Sequence, residues 1–166
     1  MRIATRTATI LLIALILTSC GFALRGTTNA PISNDTVYVQ SAQANSPLTQ
    51  ALTAALVQAQ LRLVDSERSA NYVLQLNAET FDSRTSTVNG RARAAQYNLQ
   101  LGTQVSLSQR GAQLLSDEAL SVERSYFEDS ANIAGSTQEI EVLQEEMRRE
   151  LVEQIMSRLR AAAQGA

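Results

Sequence analysis

Apolar residues that alternate with polar ones mark four strands in this chain. The first is Thr36–Gln40, where TVYVQ is alternating and rich in β-branched residues. Three longer segments follow, and in each the face opposite the apolar one is rich in Asn, Gln or Ser. A period of two over such lengths predicts half-buried antiparallel strands. Their apolar members are Tyr72, Leu74, Leu76 and Ala78, then Tyr97, Leu99, Leu101, Val105 and Leu107, then Leu120, Val122 and Tyr126.

The connections between the three later segments contain turn-forming pairs. Asn89-Gly90 lies in the first connection and Arg110-Gly111 in the second. Asn-Gly is typical of tight hairpin turns, so the three strands are predicted to form a meander. Another short extended piece is predicted around Leu61–Val64.

The first helix is predicted between the first strand and the meander. Ser46 is placed to cap it, and Pro47 fits the first helical position. A single apolar stripe follows at helical spacing, which predicts that one face packs on the sheet. The stripe consists of Leu48, Ala51, Leu52, Ala55, Leu56 and Ala59.

A second helix is predicted at the C-terminal end of the chain. Ser136–Glu139 reads S-x-x-E, the pattern of a capping box. Acidic residues crowd the first half of the helix and Arg158 and Arg160 the end, an order that suits the helix dipole. The tail AAAQGA is predicted to fray. The apolar stripe is Ile140, Leu143, Met147, Leu151, Ile155 and Leu159.

The order of elements is β-α-β-β-β-α, within one predicted domain at 36–166. Two helices with one apolar face each cover one face of a sheet. The predicted fold is therefore an α+β two-layer sandwich, with two helices packed on a mostly antiparallel four-stranded sheet.

The N-terminal segment has the features of a lipoprotein leader. Arg2 and Arg6 precede ten apolar residues, Ala8–Leu17, whereas a membrane-spanning helix needs about 20. Leu17–Cys20 reads LTSC and resembles the bacterial lipobox. The sequence predicts a signal peptide at 1–19, cleaved before Cys20, whose thiol then carries lipid.

Residues 20–35 are predicted to form a lipidated tether, since the stretch after Cys20 is rich in Gly, Thr, Asn and Pro. Acyl chains contribute about 0.8 kcal/mol per buried CH₂, so anchoring would be stable. Gly21 stands where an Asp usually signals inner-membrane retention, which favours the outer membrane.

Charge and composition exclude several classes of function. Without the leader, 12 arginines face 16 acidic residues, so a basic field for nucleic acid is absent. The chain has no His and no Lys, and its one Cys is Cys20. Ser-His and Cys-His nucleophiles, His or Cys metal sites, Schiff bases and intramolecular disulfides are thereby excluded.

The remaining enzyme candidates are pairs of carboxylates. Asp117 with Glu118, and Glu128 with Asp129, lie at predicted strand ends or loops, where surface charge is the ordinary reading. There is no Gly-rich phosphate loop and no G-x-S-x-G. The prediction is that the chain is not an enzyme and needs no cofactor or metal.

Two features suggest binding instead. The polar strand faces are neutral, and are either solvated or a surface that contacts another protein through many hydrogen bonds. Around Asn89-Gly90 lie Arg84, Arg91 and Arg93, with Asp82 as the nearby acid. These arginines are either scattered surface charges or a small anion site suited to phosphate.

Several segments in order carry a family resemblance. Cys20–Gly26 reads CGFALRG and resembles the C-G-aromatic-x-L-R start of the lipopolysaccharide-assembly lipoprotein family LptE. Asn45–Leu52 resembles that family's P-L-[ST] helix start, and Ala95–Tyr97 its Ala-x-Tyr strand. Arg124–Phe127, before an acidic loop and the final helix, is similar too. The match spans nearly the whole mature chain.

The resemblance implies two helices on a four-stranded sheet, and a non-enzymatic role. Members of the family sit inside the outer-membrane β-barrel LptD, plug it, help it assemble and meet lipopolysaccharide. Basic residues are proposed to make that contact, and Arg91 or Arg93 matches one of them. The alternative is a periplasmic-facing envelope adaptor without a barrel partner.

Overall fold

The computed structural model describes residues 34–88, 94–127 and 133–165. A single turn of 3₁₀ helix, Glu67–Ser69, lies between the second and third strands. The strands are β1 (Thr36–Ser41), β2 (Arg62–Leu63), β3 (Tyr72–Leu76), β4 (Thr80–Val88), β5 (Ala94–Gln109) and β6 (Ala112–Phe127). The helices are α1 (Pro47–Gln58) and α2 (Ile133–Gln164).

The α+β fold with two helices is confirmed, but the predicted count of four strands is wrong. The described residues form one sheet of six strands. β2 lies in the short extended piece predicted around Leu61–Val64, which is not among the four predicted strands and has only two residues in the ladder. β4, TFDSRTSTV, was missed because it is polar on both faces and lacks a strong alternation. Both β3 and β4 pair with the same side of β5, one after the other, and β6 pairs with the other side.

The sheet is mostly antiparallel, as predicted, but two of its strand pairs are parallel. β5 is antiparallel to β3, β4 and β6, whereas β1 is parallel to both β2 and β3. The reason lies in the connection between β1 and β3. A helix that follows a strand carries the chain back along the sheet, so the next strand can align parallel to the first.

The start of α1 confirms its sequence prediction. The Ser46 hydroxyl accepts a hydrogen bond from the Thr49 amide at 3.1 Å, and Pro47 is the first helical residue. Leu48, Leu52 and Leu56 are fully buried in the core. A cap and one apolar stripe are thus sufficient to fix where this helix begins and which face it buries.

The boundaries predicted for α2 are wrong at both ends. The helix begins at Ile133, so Ser136 lies inside its first turn and is not its cap. It also continues to Gln164, through the alanines predicted to fray, which are strong helix formers. With 32 residues it is about 48 Å long, a length that matches the 16-residue strands β5 and β6.

The core lies between the helices and one face of the sheet. It is mostly aliphatic, with Tyr72 and Tyr126 buried in it, and the other sheet face carries no helix of the described part. Among the described residues, neither helix is long and apolar enough to cross a membrane. The largest fully buried side chains include Leu74, Leu99, Leu101, Val105, Met147, Leu151 and Ile155.

The β5–β6 hairpin turns at the predicted pair. Arg110 has a φ of 48° and Gly111 a φ of 85°, and Gln109 pairs with Ala112. Positive φ at both central residues is the signature of a two-residue type I′ hairpin. The other predicted turn, Asn89-Gly90, lies outside the described residues.

Candidate functional site

The face of the sheet opposite the helices is lined mainly by polar side chains, and is called the open face below. Odd-numbered residues of β5 such as Leu99 and Leu101 are buried in the core, so the even-numbered ones lie on the open face. The residues paired with them on β4 and β6 share that face. Most of these side chains are neutral. Members include Thr80, Asp82, Arg84, Asn98, Gln100, Gly102, Gln104, Ala119, Ser121, Glu123 and Ser125.

Side chains on the open face bond to one another across the strands. The Gln100 amide donates to a Glu123 carboxylate oxygen at 3.2 Å, and the Asn77 amide donates to Gln104 Oε1 at 3.0 Å. An exposed amide has more donors and acceptors than one such contact uses. The surface therefore keeps hydrogen-bonding capacity for a partner or for water.

A shallow depression of about 480 Å³ lies in the middle of the open face. Gly102 is on its floor, where a Cβ would approach the Leu120 carbonyl oxygen to 3.1 Å and Ser121 Cβ to 3.5 Å. A glycine inside a strand often marks a bend or a close approach of another backbone. Here the absence of a side chain lets β4, β5 and β6 come close together. The depression is lined by Thr80, Asp82, Gln100, Gln104 and Ser121, among others.

Of the predicted anion-site residues, Arg84 belongs to the described part. Its side chain is 78% exposed, and its Nε donates to Asp82 Oδ2 at 2.7 Å. Asp82, the nearby acid noted in the sequence, therefore occupies part of this guanidinium in an ion pair that is exposed to solvent. Arg91 and Arg93 lie outside the described residues.

An exposed aromatic residue lies near Arg84 on the open face. Arg84 and Ser125 both pair with Asn98, and Phe127 follows two residues after Ser125 on the same face. Phe127 is 68% exposed. Phe127 and Arg84 lie on strands that flank β5 on opposite sides, so one end of the open face carries both an exposed aromatic ring and a cation. A surface of this kind is suited to a ligand that carries both apolar and anionic groups. The sequence pattern did not indicate Phe127, although this residue ends a strand at a position opposite the core.

Comparisons with known proteins agree with this architecture. A family model described as lipopolysaccharide-assembly, LptE, matches residues 34–159. The chain belongs to the LptE family. It is 28% identical to the LPS-assembly lipoprotein LptE of Pectobacterium atrosepticum, over 89% of this chain and 80% of that one. It is 26% identical to the protein of the same name from Yersinia enterocolitica, over 89% and 72%.

Solved structures share the fold of this LptE-family chain. Rare lipoprotein B of Shewanella oneidensis superposes with a TM-score of 0.70 at 19% identity, covering 76% of this chain and 95% of that one. A lipoprotein B of Nitrosomonas europaea gives a TM-score of 0.68 at 20% identity, covering 81% and 87%. The family acts in lipopolysaccharide assembly in the Gram-negative envelope and is not an enzyme family. The prediction that the chain is not an enzyme is confirmed.

The carboxylates considered for catalysis have structural partners in this LptE-family chain. Asp117 accepts a hydrogen bond from the Ser106 hydroxyl at 2.8 Å, and its own amide donates back to that hydroxyl at 2.9 Å. Glu118 forms an ion pair with Arg158 at 2.8 Å. Glu128 and Asp129 lie outside the described residues. Across the described ranges, no three acidic residues cluster closely enough to hold a metal ion.

A largely buried ion cluster, which the sequence pattern did not predict, joins α2 to the start of β4. Arg148 is only 9% exposed, and its guanidinium donates to Glu79 and to Glu145. The hydrogen bonds that Arg148 donates to Glu79 are the main cause that raises the pKa of Arg148, and burial opposes it. A signal was available, since Arg148 stands four and eight residues before Val152 and Met156. A charge in an otherwise apolar row predicts a buried partner.

Proposed function

We propose that this chain is an outer-membrane lipoprotein that occupies the interior of the LptD β-barrel, assists its assembly and takes part in moving lipopolysaccharide to the cell surface. The observation that best supports this proposal is the open face. It is a broad, mostly neutral surface of hydrogen-bonding side chains, and no helix of the described residues covers it. The interior of an outer-membrane barrel is polar, so such a face matches it better than an apolar one would.

The anchor belongs to the same proposal. A signal peptide at 1–19 is removed, Cys20 carries lipid, and residues 20–35 tether the domain to the periplasmic side of the outer membrane. Attachment limits the search for a membrane-embedded partner to a surface, which raises the effective concentration of the domain near the barrel. Replacing Cys20 with Ser should release the protein from the membrane fraction.

Lipopolysaccharide contact is assigned to the end of the open face that carries Arg84, together with Arg91 and Arg93. Guanidinium groups bind phosphate in a bidentate manner, and the phosphates of lipid A are such ligands. The exposed ring of Phe127 supports the same assignment, because acyl chains need an apolar contact. Asp82 would have to release Arg84 for the bidentate contact to form.

Partner identity is the first test. The lipidated protein, isolated from its own outer membrane in mild detergent, should bring the large LptD barrel with it in about equal amounts. Isolation of a stable envelope complex that contains no barrel would instead favour the adaptor without a barrel partner. A matched sample that carries Cys20→Ser shows how far recovery depends on the anchor.

The lipopolysaccharide site has a separate test. The variant Arg84→Glu/Arg91→Glu/Arg93→Glu should reduce binding of purified lipopolysaccharide about tenfold or more while its far-UV spectrum stays native. The control reverses three exposed arginines elsewhere, Arg62, Arg68 and Arg160, and so has the same net charge. Equal loss in both variants would mean that only overall charge matters, and unchanged binding in the first would remove the site assignment.

A further inference from the structure

The outer edge of β6 borders the open face and has no strand beside it among the described residues. Within the described part of the chain, β6 pairs with β5 along one side and with no strand along the other. A free edge exposes a row of backbone donors and acceptors, which is a template for another strand. The segment Ala119–Phe127 is the regular portion of this edge, since the register shifts lie before it.

The direction of the backbone groups follows from neighbouring hydrogen bonds. The carbonyl oxygens of Gln104 and Gly102 accept from the Asn77 backbone amide and the Thr80 hydroxyl. The backbone N–H and C=O groups of the even-numbered residues of β5 are therefore directed toward β3 and β4, and those of the odd-numbered residues toward β6. Thr103 pairs with Leu120, so the backbone N–H and C=O groups of the even-numbered residues of β6 bond to β5. The backbone groups of its odd-numbered residues are directed outward, away from the sheet.

The side chains at the outward-facing positions give this edge little protection, although the Glu123 carbonyl oxygen accepts a hydrogen bond from Arg124 Nη1. Ala119, Ser121, Glu123 and Ser125 are all exposed, and three of them have small side chains. The stretch has no proline and no lysine, two devices that commonly block an edge. The same four residues place their side chains on the open face, so the edge and that face form one continuous surface.

The spacing of this edge specifies its occupant. Outward amide and carbonyl groups recur every second residue, about 6.8 Å apart, a repeat that an extended polypeptide matches. An added strand would place alternate side chains beside the open face, where Glu123 favours a basic residue opposite it. On the other side it would lie beside Arg124, which is half-exposed and paired with Glu150. Arg124 Nη1 also donates to the outward-facing Glu123 carbonyl oxygen at 2.9 Å, and an added strand would replace that hydrogen bond.

We propose that the β6 edge from Ala119 to Ser125 binds an extended segment of the enclosing barrel protein as an added strand. This step rests on the proposed function for the identity of the partner. The segment is polar, with small or polar side chains along the open face and an Arg or Lys opposite Glu123. The contact extends the sheet by one strand and joins the domain to the barrel through main-chain hydrogen bonds.

Hydrogen exchange of the intact complex tests the proposal residue by residue. Amides at 119, 121, 123 and 125 should exchange at least tenfold more slowly in the barrel complex than in the free protein. Amides at 120 and 122 already bond to β5 and serve as internal references. If the barrel co-isolates but the odd-numbered amides exchange as in the free protein, this inference fails while the proposed function stands. If no barrel co-isolates, both fail.

A pair of substitutions at one position isolates the main-chain contact. Ser121→Pro removes an outward N–H and leaves the bonds to β5, a placement at which strands tolerate proline. Ser121→Ala removes the same hydroxyl but keeps the N–H. The proline variant should recover at least fivefold less barrel than the alanine variant, with both melting as folded proteins.

Three other outcomes also bear on the proposed strand addition. Equal recovery of the barrel by the two folded variants overturns the proposal. If Ser121→Pro does not fold, the exchange measurement on the wild-type complex decides alone. A concentration-dependent dimer of the barrel-free protein, in which the odd-numbered amides are protected, would mean that the edge binds a second copy and would overturn the assigned occupant.

Discussion

Arg148 in α2 and Glu79 before β4 form a two-point ion pair across 69 residues of chain. Arg148 Nε and Nη2 donate to the two carboxylate oxygens of Glu79, each at 2.9 Å. Nη1 donates to Glu145 at 2.6 Å. Glu79 lies in the short connection between β3 and β4, so the pair joins the middle of α2 to the place where the chain passes from the strand that pairs with β1 to the next strand along β5.

Glu79→Gln should therefore destabilise the domain strongly. The substitution removes the charge that offsets a largely buried guanidinium, and the cost of breaking such a pair is about 3 kcal/mol, reduced to the extent that Glu145 compensates. Urea unfolding followed by circular dichroism measures it. Asp82→Asn is the matched control, because the Asp82–Arg84 pair is exposed and should contribute under about 1 kcal/mol.

A double-mutant cycle identifies the cause. Arg148→Met removes the buried charge together with its need for partners, so Glu79→Gln should cost much less in that background. Equal costs of Glu79→Gln in the two backgrounds would show that the carboxylate acts through something other than Arg148.

The cap of α1 provides a smaller, local prediction. Ser46→Ala should lower the free energy of unfolding by about 1 kcal/mol, because the Thr49 amide loses its acceptor. Ser66 precedes the short 3₁₀ helix and makes no side-chain cap. Ser66→Ala should then be almost neutral, and similar losses for the two variants would contradict the capping interpretation.

Local patterns predicted α1 well because everything that defines it is local. The cap is three residues from its donor, and Leu48, Leu52 and Leu56 repeat at helical spacing. The capping box at Ser136 fails for a related reason. A favourable N-terminal motif does not stop a helix from beginning earlier when packing along the chain supports the extra turn.

The features that sequence reasoning missed depend on distant residues. β4 is polar on both faces, and is a strand because β5 offers it a hydrogen-bonding edge. The Glu79–Arg148 pair joins elements that no short-range pattern connects. The neutrality of the strand faces was visible in the sequence, but which of them form one continuous surface depends on strand register.

Tyr72 should make the domain sensitive to alkaline pH. Burial raises the pKa of its phenol above the ordinary 10.0, and the charge of Asp35 adds to the effect while Arg110 opposes it. Above pH 10 the unfolded chain loses this proton first, so the native state binds more protons and stability falls as pH rises. The contribution of the protonated Tyr72 phenol to stability is complete below pH 10, and it is lost as the pH rises through the raised pKa of the folded protein.

Tyr72→Phe should reduce the loss of unfolding free energy at alkaline pH. Unfolding free energies measured from about pH 8 to about pH 11 should decline less steeply in the variant than in the wild type. Gln109→Leu is the control, because it removes the 3.1 Å hydrogen bond to the phenol but leaves the phenol in place. If burial is the main cause, the steep decline persists in that control. Parallel curves for Tyr72→Phe and wild type would contradict the assignment to Tyr72.

Gly102 should be intolerant of a side chain. A Cβ there would lie 3.1 Å from the Leu120 carbonyl oxygen, a backbone atom that cannot rotate away, and 3.5 Å from Ser121 Cβ and Thr80 Oγ1. Gly102→Val should destabilise the domain by about 2 kcal/mol, because β4 and β6 must separate to admit the branched side chain. It should also reduce recovery of the barrel if the open face is the contact surface.

Gly165→Val separates steric crowding from the general effects of replacing glycine. A Cβ at Gly165 meets nothing closer than 3.8 Å, so the same substitution should change stability by less than about 0.5 kcal/mol. Thermal and urea unfolding compare the two variants directly. A large loss at Gly165, or none at Gly102, would show that close strand approach on the open face does not limit side-chain size there.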